Sequence, residues 1–139
     1  MSCGGKISSL SDEDISAIKQ LNKSYIQVGL SSDWVSDILD LYEEDAVVLE
    51  PMQPPVRGKS VILARNEEYS NLYFKERNFT IEEIDGSNDL SFIGGILTQT
   101  YVIGENQGEN SVKMLHILRK QPDGTWLISV TIYHYNLYE

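Results

Sequence analysis

A single α+β domain, with helices first and an antiparallel meander after them, is the fold class this sequence predicts. Two features of the chain and its size point there. Apolar residues recur at three- and four-residue steps through the first half, and from Phe79 onward the chain breaks into extended apolar segments separated by turn-forming residues. With 139 residues, 41% of them hydrophobic, the chain has enough apolar material for one core and too little for two. A sheet built from the second half must bury its apolar face against the helices of the first. The predicted organisation is a flexible N-terminus over residues 1–10 and one domain over residues 11–139.

The elements follow in order. Ser11 with Asp14 forms a capping pair, and Ile15, Ile18, Leu21, Tyr25 and Val28 make the apolar stripe of a first helix ending near Gly29. Asp33 is placed to cap a second helix with Trp34, Ile38, Leu41 and Tyr42 on its apolar side and Glu43, Glu44 and Asp45 at its end. Residues 46–49 read as a short buried strand, after which Pro51, Pro54 and Pro55 forbid regular pairing until Gly58. Val61, Ile62, Arg65, Tyr69 and Leu72 have near-helical spacing and predict a third helix. Residues 79–84, 90–103, 112–120 and 126–135 are four strands, divided by Asp85-Gly86-Ser87-Asn88, by the Gly104 to Gly108 segment and by Pro122-Asp123-Gly124. Met114 and Leu118 alternate with Leu115 and Ile117, so this strand is apolar on both faces. That pattern predicts helices on one side and a second subunit on the other, or else a strongly curved sheet closed on itself.

Composition excludes several functions. A formal net charge of −10 is unsuited to nucleic acid or to an anionic membrane surface. No apolar run approaches the roughly 20 residues of a membrane-spanning helix. Cys3 is the one cysteine, which rules out an internal disulfide and a cysteine metal cluster. The expected location is cytoplasmic; the alternative is a periplasmic lipoprotein anchored at Cys3, which the Ser2-Cys3-Gly4-Gly5 start would suit after removal of a signal peptide. His116 and His134 make no metal-ligand pattern, and there is no phosphate-cradling loop, nucleophile elbow or dinucleotide fingerprint. No cofactor or metal is expected, and any catalysis should be acid–base chemistry by side chains.

Candidate site residues emerge from polar groups in apolar company. Glu50 closes an apolar strand immediately before Pro51; an unpaired buried carboxylate costs several kcal/mol, so it either reaches solvent or faces a pocket. His116 alternates with Val112, Met114 and Leu118 on one strand face, where it either donates a hydrogen bond to a ligand oxygen or is a core histidine bonded to a neighbour such as Tyr25 or Glu50. Tyr25 lies in the stripe of the first helix. Trp34, Trp126 and Tyr133 read as core or as pocket wall, and Arg57 as a loop anchor or as a contact for an anionic ligand.

The segments Asp33-Trp34, Leu41-Tyr42-Glu43-Glu44-Asp45-Ala46-Val47, Pro55-Val56-Arg57-Gly58 and Gln121-Pro122-Asp123-Gly124-Thr125-Trp126 together resemble the SnoaL-like group of the nuclear transport factor 2-like superfamily. The resemblance runs from about Asp12 to Asn136. It implies a cone-shaped, strongly curved mixed or antiparallel sheet wrapped around N-terminal helices, the cystatin-like roll, with an internal pocket and often a dimer. Among the activities of that superfamily, ketosteroid isomerisation uses a tyrosine on the first helix, a carboxylate base after the first strand and an acidic donor on a later strand. Those positions fall on Tyr25, Glu50 and His116, with Glu and His each standing where aspartate is usual. The resemblance thus implies a pocket for a small apolar, cyclic or carbonyl-bearing molecule, with Glu50, His116 and Tyr25 as catalytic candidates and Trp34, Met114, Tyr133 and Arg57 as ligand contacts. Isomerisation, cyclisation or dehydration by proton transfer would follow. A non-catalytic binding module and a dimerisation or assembly domain are the alternatives.

Overall fold

The computed structural model describes residues 10–136. Helix α1 (Asp12–Val28) begins with the capping box foreseen in the sequence: the Asp14 amide donates to Ser11 Oγ at 3.0 Å and the Ser11 amide to the Asp14 carboxylate at 3.4 Å. Leu10, assigned from sequence to the flexible N-terminus, is buried in the core; Cys3 lies outside the described residues. The second helix is shorter than expected. α2 spans Trp34–Asp37, tightens into a 3₁₀ turn over Ile38–Leu41, and gives way at Tyr42 to β1 (Tyr42–Leu49). Glu43, Glu44 and Asp45 therefore sit in a strand rather than at a helix end, which removes the clash of three carboxylates with a helix C-terminus. Asp33 makes no side-chain cap; its own amide instead donates to Ser31 Oγ.

After β2 (Val56–Arg57) and α3 (Lys59–Glu67), the chain forms β3 (Leu72–Ser87), β4 (Leu90–Ile103), β5 (Asn106–Lys120) and β6 (Trp126–Tyr135). β3 begins at Leu72, ahead of the expected Phe79, and β5 at Asn106, ahead of Val112. The β5 extension completes the β4–β5 hairpin, whose two-residue turn holds Gly104 at φ +59, and the β3 extension pairs with the far end of β4. The sheet is open and mixed, in the order β2-β1-β6-β5-β4-β3, with β1 parallel to β6 and every other pair antiparallel.

Curvature follows from what α1 touches. The helix packs on both β3 and β6, which stand three strands apart. Three inter-strand steps span about 14 Å, wider than an α-helix of about 10 Å, so the sheet must fold around the helix to meet it on both sides. Register shifts between Phe74 and Glu76, Ile81 and Glu83, and Ile117 and Leu118 supply the bends. The inner face carries Ile93, Leu97, Val112, Met114, His116, Leu118, Ile128 and Thr131, all buried, against Ile18, Tyr25 and Ile38 of the helical layer.

Both ends of α1 are tied to the sheet by charge. At its N-terminus, Asp14 Oδ1 accepts from Lys120 Nζ at 3.0 Å and from the Trp126 indole at 3.4 Å. At its C-terminus, where the last turn has no basic residue of its own, Arg77 of β3 donates through Nη1 to the carbonyls of Tyr25 and Ile26, both at 3.3 Å. The guanidinium fits only because residue 29 lacks a side chain: a Cβ on Gly29 would collide with Arg77 Nη1. Gly29 has ordinary helical angles, φ −64 and ψ −19, so close approach and not backbone conformation requires the glycine.

Gly29→Ala should accordingly destabilise the protein by about 1–3 kcal/mol in urea denaturation, although alanine favours a helix by about 1 kcal/mol over glycine. In an Arg77→Met background, itself expected to lose about 2 kcal/mol, the same substitution should become neutral or stabilising. Additive effects of the two changes would refute the clamp.

Candidate functional site

The polar cluster on the inner face is assembled by two bulges and one helix. The shift between Phe74 and Glu76 places Phe74 and Arg77, three residues apart, on the same side of β3. The guanidinium then stacks on Phe74, with its carbon 4.6 Å from the ring centroid, and lies 5.6 Å from that of Tyr25. Gln99, directly across the ladder, accepts from Arg77 Nε at 3.0 Å. The second bulge, in β6, puts Ile128 and Thr131 on one face, so that Thr131 stands opposite His116.

His116 is almost fully buried. Its Nδ1 lies 2.8 Å from Thr131 Oγ1, and its ring meets Tyr25 edge-on with centroids 4.5 Å apart. Nε2 is buried without a hydrogen-bond partner among the described groups. Desolvation, reinforced by the nearby Arg77 charge, lowers its pKa to about 3, so the ring is neutral at pH 7. Burial also raises the phenol of Tyr25, which the Arg77 charge and the Tyr42 hydroxyl partly offset. Tyr42 is pushed well up by burial and then by Tyr25, with the neighbouring Thr131 hydroxyl opposing. The cluster therefore presents neutral donors beside one half-buried cation.

Glu50 approaches from the edge. A turn in which the Gln53 amide donates to the Glu50 carbonyl at 3.4 Å, with Pro51 second and Met52 third, carries the carboxylate off the end of β1. Met52 takes φ +57, a left-handed conformation costing on the order of 1 kcal/mol for a residue with a Cβ. The Glu50 side chain is 11% exposed and its Oε1 accepts from Arg65 Nε at 2.9 Å. Arg65, on α3, also donates to Glu68 and to the Tyr69 hydroxyl, so its fork is filled. The Tyr133 phenol is raised first by burial and then by the charge of Glu50, with Tyr135 and Tyr25 adding to the effect.

Tyr25 and His116 thus meet on the inner face and Met114 shares the strand face of His116, while the side-chain partner of Glu50 is Arg65. Trp34 stands one ring further out, against Phe74 at 6.3 Å, with its indole donating to the Leu72 carbonyl at 2.9 Å. Arg57 is exposed on β2 and has no part in the cluster. Sequence reading missed Arg77, Tyr42, Thr131 and Arg65. Arg77 hides in the polar run Lys75-Glu76-Arg77-Asn78, which has the look of a solvated strand until the bulge turns one member inward. An open depression of about 400 Å³ lies on the outer sheet face, where Phe92, Ile96, Leu115 and Ile132 line it and Met114 and Tyr133 also border it.

The neutral imidazole makes a prediction about acid stability. An unfolded histidine binds a proton below about pH 6.5, whereas folded His116 does not until about pH 3, so the unfolded state holds the extra proton across this window. Stability should fall as pH drops from 6.5, at up to about 1.4 kcal/mol per unit. Urea titrations at pH 7, 6, 5 and 4.5 should show the slope in the wild type and a flatter one in His116→Gln.

Comparisons with known proteins bear on the fold. No family model matches the sequence, and no curated protein matches it. Solved structures do. A ketosteroid isomerase-like protein from Erwinia carotovora atroseptica superposes with a TM-score of 0.82 at 18% identity, covering 92% of this chain and all of that one. A protein from Catenulispora acidiphila, solved in complex with S-DNPA, gives 0.75 at 14% identity over 91% of this chain and 96% of its own. An NTF2-like protein with a cystatin-like fold from Novosphingobium aromaticivorans gives 0.66 at 15% identity over 91% and 84%. The chain has the cystatin-like α+β fold of ketosteroid isomerase-like and NTF2-like proteins.

Proposed function

We propose that this protein takes a small, apolar, oxygen-bearing ring compound against the inner face of its sheet and moves a proton on it. The observation that carries the reading is the meeting of Tyr25 and His116, centroids 4.5 Å apart, with the buried His116 Nε2 free to bond a ligand oxygen. Glu50 supplies the base. In a β,γ-unsaturated ketone it would take a proton from the carbon between the carbonyl and the double bond; the C–H electron pair forms a new C=C bond as the carbonyl pair moves onto the oxygen, and the dienolate is bonded by Tyr25 and His116. Return of the proton from the Glu50 carboxyl to the γ carbon restores the carbonyl and leaves the α,β-unsaturated isomer. The use of an environment-tuned carboxylate and neutral donors parallels ketosteroid isomerase, which is itself a standard example of such tuning. Arg77 places a fixed positive charge where the oxyanion develops. A small molecule bound to the Catenulispora acidiphila neighbour supports a ligand-binding role for the fold.

A screen of cyclic enones and ketosteroids against wild type and Glu50→Gln tests the assignment. The variant should lose at least about 10²-fold in kcat while remaining folded. Equal turnover by both proteins would remove Glu50 as the base.

One observation favours a second reading, a binding module without catalysis. Arg65 already occupies Oε1 of Glu50, and a carboxylate held in an ion pair gives up basicity. Ligand binding unchanged in Glu50→Gln, with turnover by neither protein, is the result that reading expects.

The outer face supports a homodimer. Phe92, Ile96, Leu115 and Ile132 form an apolar surface there, and Ile132 is 41% exposed. In light-scattering chromatography the wild type should run at twice the chain mass, and Ile132→Glu should run as a monomer.

A further inference from the structure

Arg65, Arg119 and Lys120 each hold a carboxylate, Glu50 at 2.9 Å, Glu43 at 3.5 Å and Asp14 at 3.0 Å. Arg77 does not. The chain has 21 acidic residues against 11 basic ones, yet the described partners of Arg77 are two helix carbonyls, one amide oxygen and two aromatic rings, all neutral. The negative end of α1 amounts to roughly half an elementary charge, so about half of the guanidinium charge stays unbalanced. A half-buried cation in that state attracts an anion.

Donors remain to receive one. The hydrogen bonds of Arg77 use Nε and Nη1; Nη2, which carries two N–H groups, enters none of them. Gln99 gives its oxygen to Arg77 Nε at 3.0 Å, which leaves its amide N–H groups for another acceptor. Both side chains are half-buried and not sealed, so a ligand can reach them. One unbalanced charge beside one neutral donor suits a carboxylate, whereas the second charge of a phosphate dianion would have the Gln99 amide alone to meet it.

We propose that Arg77 and Gln99 form an anion subsite, so that the ring compound taken by this protein carries a carboxylate. This rests on the ligand-binding reading above and narrows its substrate class. The Tyr25 ring centroid is 5.6 Å from the guanidinium carbon and 4.5 Å from the centroid of His116, so a ring compound lying on Tyr25 spans from one to the other. A net charge of −10 repels free anions, and the apolar ring must supply the rest of the affinity.

The probes are benzoate and benzamide, alike in shape and different in charge, titrated calorimetrically into the protein at pH 7 and about 0.15 M salt. Benzoate should bind at least about tenfold more tightly, the margin of a hydrogen bond to a charged group. Gln99→Glu keeps the side-chain shape and installs the missing carboxylate beside Nε, so it should abolish benzoate binding. In proton–nitrogen NMR of the wild type, the Arg77 Nε–H signal should move on addition of benzoate, a measurement that needs no variant to fold. Equal binding of the two probes overturns the proposal, as does benzoate binding retained in Gln99→Glu or a stationary Arg77 signal. If benzoate binds as stated and Glu50→Gln turns over enones as well as wild type, the catalytic assignment fails while the anion subsite stands. A wild type that turns over uncharged enones and ignores benzoate removes the subsite alone.

Discussion

A guanidinium carried into the interior by β3 and bonded to the last turn of α1 is the contact on which the architecture turns. The described partners of Arg77 are neutral: two helix carbonyls, one amide oxygen and the faces of two rings. A half-buried charge without a carboxylate is costly unless dipoles replace the lost water, and the C-terminal end of a helix is where such dipoles converge. Gly29 leaves space for the group and the bulge at Lys75 aims it. With Asp14 bonded to Lys120 at the opposite end, α1 is held to the sheet by a charge of the favourable sign at each terminus.

The same charge sets the electrostatics of the interior. It adds to desolvation in keeping His116 neutral and opposes the effect of burial on Tyr25. Structural and chemical roles are therefore inseparable at Arg77. Glu50 belongs to a different local balance. Its partner, Arg65, comes from α3, and its position depends on a turn with a left-handed methionine.

The fold was legible in the sequence wherever period and chemistry agreed. The capping pair at Ser11 and Asp14 fixed the start of α1, and Gly104 and Gly124 marked two of the turns, whereas Gly86 of the expected Asp85 to Asn88 turn is paired inside β3. Legibility failed at Tyr42, where apolar spacing continued a helix that the structure ends at Leu41. Helical and strand templates share the first few positions of such a run, and pairing with β6 decides between them. Among the candidate residues, Tyr25, His116 and Tyr133 were readable because each is a polar tip within an apolar pattern. Arg57 was readable only as a cation in a loop, which says nothing about where it points; Arg65, equally cationic, is the one that reaches Glu50.

By itself, the sequence determined the α+β class, the identity of the long strands and the polar residues that must be satisfied inside. These follow from local spacing, which survives in one dimension. The tertiary structure decided which of those residues meet. Arg77 and Thr131 reach the inner face because a single extra residue in β3 and in β6 inverts the alternation, and strand alternation has no memory across a bulge. Whether His116 faces a partner, a cation or a carboxylate was settled by pairing across the sheet and by the helix laid over it. Contacts of that range leave no periodic trace in the chain.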